Sequence, residues 1–236
     1  MDYSVIEENI KRVMENIARS LASSGREPGS VRLLAATKGV SAEVINFALS
    51  RGISLIGENR ACELLAKYDS LERPEGLEIH FLGSLQTNKV RQIIDRVALI
   101  HSVDSIKLAA EISRRALEQG KVMDILAEVN IGGEASKCGI APEKTGDFMS
   151  GLSRLGGIKV RGLMAIPPVC DAPGGSVKYF ERMRKIFVDT AAQNMDNIDM
   201  SVLSMGMSGD YEQAVACGST LVRVGTAIFG KRTYPA

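Results

Sequence analysis

Residues 31–49 read VRLLAATKGVSAEVINFAL, an apolar run followed at once by an amphipathic helical segment. The run at 31–37 has the length and the apolar character of a buried β-strand. Lys38 follows the run, and Ser41 lies where an N-cap residue would begin the helix. The stretch is therefore one strand–turn–helix unit, and the fold depends on how often this unit recurs.

The same alternation recurs along the whole chain. Eight apolar runs are predicted strands, at 31–37, 54–59, 78–83, 97–102, 123–130, 159–166, 200–206 and 221–230. Helices are predicted between them, at 41–51, 58–68, 87–95, 104–119, 142–155, 175–194 and 208–217. The predicted N-caps are Ser41, Asp104 and Ser208, and the predicted helix ends are marked by Gly52, Gly120 and Gly218.

Eight such units in roughly 250 residues indicate a (β/α)8 TIM barrel, because apolar strands joined by helices form a parallel sheet covered by helices. An open doubly wound sheet is the alternative, but the first turn, ATKGVS, lacks the nucleotide-binding motif GxGxxG. We therefore predict an α/β protein with one barrel domain over 1–236. Residues 1–25 carry apolar residues at helical spacing and are predicted to form an extra N-terminal helix packed on the barrel.

The composition narrows the classes of partner. The 29 basic and 28 acidic residues leave a formal charge of +1, so neither nucleic acid nor a membrane surface is expected as a partner. No apolar run is long enough to span a membrane. The four cysteines form no CxxC pair and there are two histidines, so no metal site is predicted and a reduced, cytoplasmic environment is expected. We expect a monomer or a weak dimer that binds a small molecule.

Candidate binding residues lie at the predicted C-terminal ends of the strands, where barrel proteins place their functional groups. The loops after strands 7 and 8 are the recurrent phosphate site of this fold. Ser204 and Gly206 precede a helix predicted to begin at Ser208, so amide N–H groups and the helix dipole can face an anion. Gly225 allows close backbone approach, and Thr226 adds a hydroxyl donor. The alternative is that these Ser and Gly residues are ordinary turn residues.

Lys38 lies at the same predicted mouth, and Arg223 lies two residues before Gly225 on the same side of its strand. A lysine beside a phosphate site suggests an imine with an aldehyde cofactor, because a partly desolvated amine attacks carbonyl groups. The alternative for Lys38 alone is a solvated loop residue. His80 and His101 are interpreted as hydrogen-bonded barrel residues, and Cys138 as an unreactive thiol.

Several motifs resemble one known family, the pyridoxal phosphate homeostasis proteins of the YggS/PROSC type. VRLLAATK is similar to the family's cofactor-lysine strand, GENRACELLAKY to its GEN segment, and IHFLGSLQTNK to its HFIGxLQxNK motif. The block LSMGMSGDYEQAVACGSTLVRVGTAIFG is the most specific match. The resemblance runs from about residue 31 to 230, and its two departures are ATKG at the cofactor lysine and Cys138 where many members have His.

The resemblance implies a barrel of the alanine-racemase type (PLP fold type III) that binds pyridoxal 5'-phosphate (PLP) through an imine with Lys38. It implies a phosphate held by backbone and hydroxyl groups of Ser204, Met205, Gly206, Gly225 and Thr226. It also implies Arg223 near the pyridine ring, with Asn59 and Met164 lining the slot.

Two functions remain open, a holder of PLP and a racemase-like enzyme. A racemase needs a second base from an additional β domain, which we expect to be absent because the barrel and the first helix use the whole sequence. An arginine beside the ring nitrogen disfavours protonation of that nitrogen and weakens the cofactor as an electron sink. The resemblance implies buffering and delivery of PLP to apo PLP-dependent enzymes, and a part in amino-acid and keto-acid balance, with no catalytic residue assigned.

Overall fold

The computed structural model describes residues 3–134, 137–170, 172 and 174–230. The helices are α1 (Tyr3–Ser23), α2 (Ala42–Ser50), α3 (Ala61–Tyr68), α4 (Val90–Ile93), α5 (Ile106–Glu118), α6 (Thr145–Leu152), α7 (Val177–Ala191), α8 (Tyr211–Ala216) and α9 (Thr226–Phe229). The strands are β1 (Arg32–Ala36), β2 (Leu55–Glu58), β3 (Glu78–Phe81), β4 (Leu99–Val103), β5 (Met123–Val129), β6 (Ile158–Ala165), β7 (Ile198–Ser204) and β8 (Leu221–Val224). Short 3-10 turns at Thr87–Lys89 and Pro142–Lys144 precede α4 and α6.

The eight strands form one closed barrel in chain order, and β8 pairs with β1. Every strand pair is parallel. The predicted (β/α)8 barrel is therefore confirmed, and the C-terminal ends of all strands meet at one mouth.

Side chains along each strand alternate between the barrel interior and the layer under the helices. The interior holds two small apolar clusters, one of Leu34, Leu55, Leu82 and Leu221 and one of Leu99, Leu126 and Met164. The much larger cluster lies between the strands and the helices. Polar side chains occupy the interior space near the mouth, so the candidate functional groups lie there.

The N-terminal helix is confirmed over the described part of its predicted range, while residues 1 and 2 lie outside the described residues. Its buried apolar side chains are Ile6, Ile10, Val13, Ile17 and Leu21. It packs against α8 and α9, and the Asn9 side-chain amide donates to Ile228 O at 2.9 Å. The helix thus supports the two short helices that follow β7 and β8.

Several predicted boundaries were shifted, and local hydrogen bonding explains three of the shifts. Helix α5 is capped by Ser105, not Asp104, because the Ser105 hydroxyl accepts from Leu108 N. The helix predicted at Ser208 begins at Tyr211, because the Asp210 carboxylate accepts from Met207 N at 2.6 Å and holds a turn before it.

The third error concerns strand 8, which was predicted to run to residue 230 and ends at Val224. Gly225 O accepts from Ile228 N and Phe229 N, so the chain turns into α9. Within the described ranges, no helix is long and apolar enough to cross a membrane. No group of three His, Cys, Asp or Glu side chains in those ranges is placed to hold a metal ion.

Candidate functional site at the C-terminal mouth

Arg223 lies at the centre of the interior polar groups near the mouth. Its guanidinium donates from Nη1 to Ser204 Oγ at 2.6 Å and from Nη2 to Ala165 O at 3.0 Å. Its backbone N–H donates to Gly206 O at 3.0 Å. Burial lowers the pKa of Arg223 to about 10, so the side chain remains a cation at neutral pH. The structure therefore brings β6, β7 and β8 together around one buried positive charge.

The loops after β7 and β8 are joined by a side chain. The Ser208 hydroxyl oxygen accepts from Gly225 N and from Ala227 N, both at 3.1 Å. Within the described part of the chain, the amide N–H groups of Gly206 and Thr226 have no hydrogen-bond partner. Two unpaired amides and the exposed Thr226 hydroxyl thus lie on a loop pair whose spacing is fixed.

This cradle differs from the predicted one in its construction. The helix expected to face an anion begins three residues later than predicted and has six residues, so loop amides replace the helix end. Met205 is separated from the other predicted residues, because its side chain packs under the helices and its N–H donates to Leu221 O. Gly206 has φ +93°, and a Cβ there would lie 2.5 Å from Ala214 Cβ. Packing against α8 therefore explains this glycine.

Lys38 lies just beyond β1, which neighbours both β8 and β2. It has the same parity as Leu34 and Ala36, which face the barrel interior. Its side chain is partly buried, and its Nζ has no hydrogen-bond or ion-pair partner among the described residues. Lys38 is thus a free primary amine at the mouth.

A second lysine holds the loop that carries Lys38. Lys67 Nζ donates to Thr37 O at 3.2 Å and to Val40 O at 2.9 Å, on either side of Lys38. It also pairs with Glu58 Oε1 at 2.8 Å, where Glu58 is fully buried. The second oxygen of that carboxylate is buried with no partner in the described residues. Lys67 therefore holds the backbone around Lys38, and its ammonium group forms an ion pair with Glu58.

Asn59 and Met164 occupy different depths. Asn59 is partly buried at the end of β2, and its backbone passes so close to Gly83 that a Cβ on Gly83 would lie 2.0 Å from Asn59 O. Met164 is buried and packs with Leu99 and Leu126 inside the barrel. Asn59 is thus placed at the rim of the mouth, and Met164 contributes to its floor.

The interior also contains titratable groups. His80 and His101 are hydrogen-bonded to each other at 2.9 Å inside the barrel, as expected for hydrogen-bonded barrel residues. Glu128, on β5, was missed by the sequence analysis and is 8% exposed. Burial, with a smaller contribution from the charge of Asp104, raises the pKa of Glu128 to about 7, while the charge of Arg223 opposes the shift. The sequence signal that could have found Glu128 is its position two residues after Leu126, because alternate residues of a strand face the same side and Leu126 faces the barrel interior.

Other residues missed by the sequence analysis act through contacts between elements. Lys67 had the pattern of a surface residue on a helix, and no sequence signal pairs it with Glu58. Ser208 was expected to cap a helix but links two loops. Cys138 is exposed, in the loop that follows β5.

Comparison with known proteins agrees with this architecture. The family model for the alanine racemase N-terminal domain matches residues 2–233. A pyridoxal phosphate homeostasis protein of Aquifex aeolicus is 42% identical over 227 residues, covering 96% of this chain and 98% of the relative. The structure of PipY from Synechococcus elongatus with PLP bound is 36% identical, with a TM-score of 0.79 over 91% of this chain and 100% of PipY.

A more distant structure shows the fold alone. Alanine racemase from Corynebacterium glutamicum is 14% identical with a TM-score of 0.71, covering 97% of this chain and 61% of the racemase. The match over nearly the full chain and the close curated relatives decide the assignment. The chain belongs to the alanine racemase N-terminal domain family and, within it, to the pyridoxal phosphate homeostasis proteins.

Proposed function

We propose that this protein binds PLP at the C-terminal mouth, attached covalently through Lys38, and holds it for intracellular PLP homeostasis and delivery. The observation that carries the proposal is that the amine of Lys38 and the amides of Gly206 and Thr226, none of which has a partner among the described residues, lie at the same mouth of the barrel. The names of the relatives and the PLP bound to PipY support the same ligand.

The residues at the mouth fit the chemical groups of PLP. The cofactor supplies an aldehyde that a primary amine captures reversibly with loss of water. Lys38 Nζ is free to do so, while Lys67 is committed to Glu58 and to the loop. The amides of Gly206 and Thr226 and the Thr226 hydroxyl are donors for a phosphate. The remaining residues proposed to hold the cofactor are Asn59, Met164, Ser204 and Gly225. Met205, which was also predicted, has its N–H bonded to Leu221 O and is left out of the proposal.

Arg223 favours a holder over a racemase-like enzyme. Arginine is a donor without acceptor capacity, so at the ring nitrogen it donates a hydrogen bond and does not support protonation of that nitrogen. A weakly polarised ring is a poor electron sink, and turnover of amino acids is then slow. We propose that apo PLP-dependent enzymes in the cytoplasm accept the cofactor, and that this exchange affects amino-acid and keto-acid balance.

The proposal is tested by labelling with PLP, borohydride reduction and peptide mapping by mass spectrometry. We expect one reduced adduct on Lys38 in the native sequence and in the control Lys107→Ala, whose lysine is exposed on α5. The adduct should be absent in Lys38→Ala. Adducts spread evenly over surface lysines would contradict the proposal.

Two assays separate the holder from the enzyme. Racemisation and transamination are measured over a panel of amino acids, and robust turnover that is lost in Lys38→Ala would favour the enzyme. Transfer of PLP to an apo-enzyme is measured in mixed solution and across a dialysis membrane. Faster transfer in mixed solution would indicate direct delivery.

A further inference from the structure

Five polar side chains form a continuous hydrogen-bonded line through the barrel interior, from the N-terminal mouth to the C-terminal mouth. In order they are Glu78, His80, His101, Ser204 and Arg223. The joining distances are 3.1 Å (Glu78 Oε2 to His80 Nε2), 2.9 Å (His80 Nδ1 to His101 Nε2), 3.1 Å (His101 Nδ1 to Ser204 Oγ) and 2.6 Å (Ser204 Oγ to Arg223 Nη1). The three middle side chains are at most 1% exposed, so these bonds are shielded from bulk solvent.

The Glu78 carboxylate determines which nitrogen of His80 carries a proton. Hydrogen bonds from His80 and Arg32 hold the pKa of Glu78 at about 2, so Glu78 is an acceptor at neutral pH. His80 Nε2 must therefore carry a proton and donate. Burial lowers the pKa of His80, so the ring is neutral and its Nδ1 is an acceptor.

The protons on His101 and Ser204 are assigned in the same way, up to Arg223. His101 Nε2 must carry the proton that His80 Nδ1 accepts. His101 is also neutral, because burial, together with the positive charge of Arg223, holds its pKa well below 6.5. His101 Nδ1 is then an acceptor for the Ser204 hydroxyl, whose oxygen accepts from Arg223. The reverse order would place the lone pair of His80 Nε2 against a carboxylate.

Every donor in the line thus points from Arg223 towards Glu78. The direction matters for Arg223, because the Ser204 hydroxyl that accepts from its Nη1 is held by His101 and is not free to rotate. With Ala165 O accepting from Nη2, the guanidinium is fixed on both sides.

We propose that His80 and His101 are positioning residues for cofactor binding, which act through Ser204 to hold the Arg223 guanidinium at the cofactor end of a one-directional hydrogen-bonded line. This inference rests on the proposed PLP site, to which Arg223 belongs. It assigns a role to the interior of the barrel and to Glu78, which lies at the opposite mouth.

The direction of the line is measured by NMR on the uniformly 15N-labelled protein at neutral pH. Long-range 1H–15N spectra distinguish the two neutral tautomers of histidine. We expect both histidines to be neutral with the proton on Nε2. A proton on Nδ1 of either ring, or a protonated His101, would overturn the proposal whether or not PLP binds.

The effect on the cofactor is measured with Glu78→Gln. The introduced amide presents a donor as well as an acceptor, and Arg32 competes for its oxygen, so the line loses its fixed direction. We expect a mixture of tautomers at both histidines and dissociation of PLP that is about threefold faster or more. The matched control is Asp124→Asn, which removes a carboxylate from the same N-terminal mouth outside the line.

The outcomes separate this proposal from the proposed function. Faster loss of PLP in Glu78→Gln than in Asp124→Asn, with the tautomers mixed, supports the line. Equal retention in the native protein and both variants overturns the line and leaves the PLP site intact. Failure of the native protein to bind PLP overturns both.

Discussion

The barrel has charged side chains at both mouths, and the two mouths differ in how these side chains are paired. At the N-terminal mouth, a cavity of about 580 Å³ is lined by paired charges, Arg32 with Glu78 and Arg161 with Asp124. At the C-terminal mouth, the Lys38 amine is unpaired within the described residues. Donors that lack a partner can gain a hydrogen bond from a ligand, whereas paired groups must first give one up. Unpaired donors, and not cavity volume, are therefore the reason for proposing the PLP site at the C-terminal mouth.

The largest expected effect tests whether the ion pair between Lys67 and Glu58 stabilises the fold. Lys67→Met leaves the fully buried Glu58 carboxylate without its cation, and we expect a loss of about 3–5 kcal/mol in the free energy of unfolding. Urea denaturation gives the value. Adding Glu58→Gln in the same chain should recover part of the loss. A loss under about 1 kcal/mol would instead be typical of a surface pair.

The second prediction concerns the buried acid of the C-terminal half of the barrel. The pKa of Glu128 is raised to about 7 in the folded protein, above its usual 4.5, so folding favours the protonated carboxyl. Its unfavourable contribution grows as the pH rises from 4.5 to 7 and is complete above 7. Glu128→Gln should therefore raise the free energy of unfolding by about 3 kcal/mol at pH 8 and by almost nothing at pH 4.

Urea denaturation at the two pH values checks this sign. An equal gain at pH 4 and pH 8 would show that the carboxyl charge is not the cause. The reverse order, with the larger gain in acid, would contradict the raised pKa.

A smaller effect is expected at the glycine of the cradle. Gly206→Ala places a Cβ against Ala214 at positive φ, and we expect about 2 kcal/mol of destabilisation. The control is Gly209→Ala in the same loop, where no atom lies within 4 Å of the added Cβ, with an expected change within about 0.5 kcal/mol. Thermal denaturation with and without PLP measures both. A loss seen only with PLP present would show that the ligand, not α8, requires this glycine.

The smallest effect is expected at the N-terminal mouth. Arg161 pairs with Asp199 at 2.7 Å, and both side chains are partly exposed. Arg161→Gln should therefore cost less than about 1 kcal/mol, and PLP retention should not change. Urea denaturation and cofactor absorbance after gel filtration provide the two values. A marked loss of PLP would remove the contrast between the mouths.

The repeated strand–helix pattern was sufficient to predict the barrel, because parallel strands buried on both sides must be apolar along their length. It also placed Lys38 just beyond the end of its strand, whereas Arg223 lies at the end of β8 only because that strand stops at Val224 and not at residue 230 as predicted. The pairing of Lys67 with Glu58 was not predictable, because it depends on how α3 packs against β2. The role of each site residue in PLP binding remains a prediction.

The bond pattern around the two histidines was equally inaccessible from sequence. Glu78 and His80 are neighbours in one strand, but His101 and Ser204 are brought to them only by closure of the barrel. Hydrogen-bond partners 103 residues apart carry no periodic signal. Patterns in sequence report the burial of an element well, and they report contacts between elements poorly.

Ser208 has a further consequence, which concerns the rates of binding. Because its hydroxyl already links Gly225 and Ala227 across the two loops, an arriving anion has little chain left to order. Binding then loses little conformational entropy, and the loops need not close over the ligand. If PLP binds at these loops as proposed, we expect its uptake and release to depend on dehydration of the anion and on the covalent step, and not on ordering of the loops.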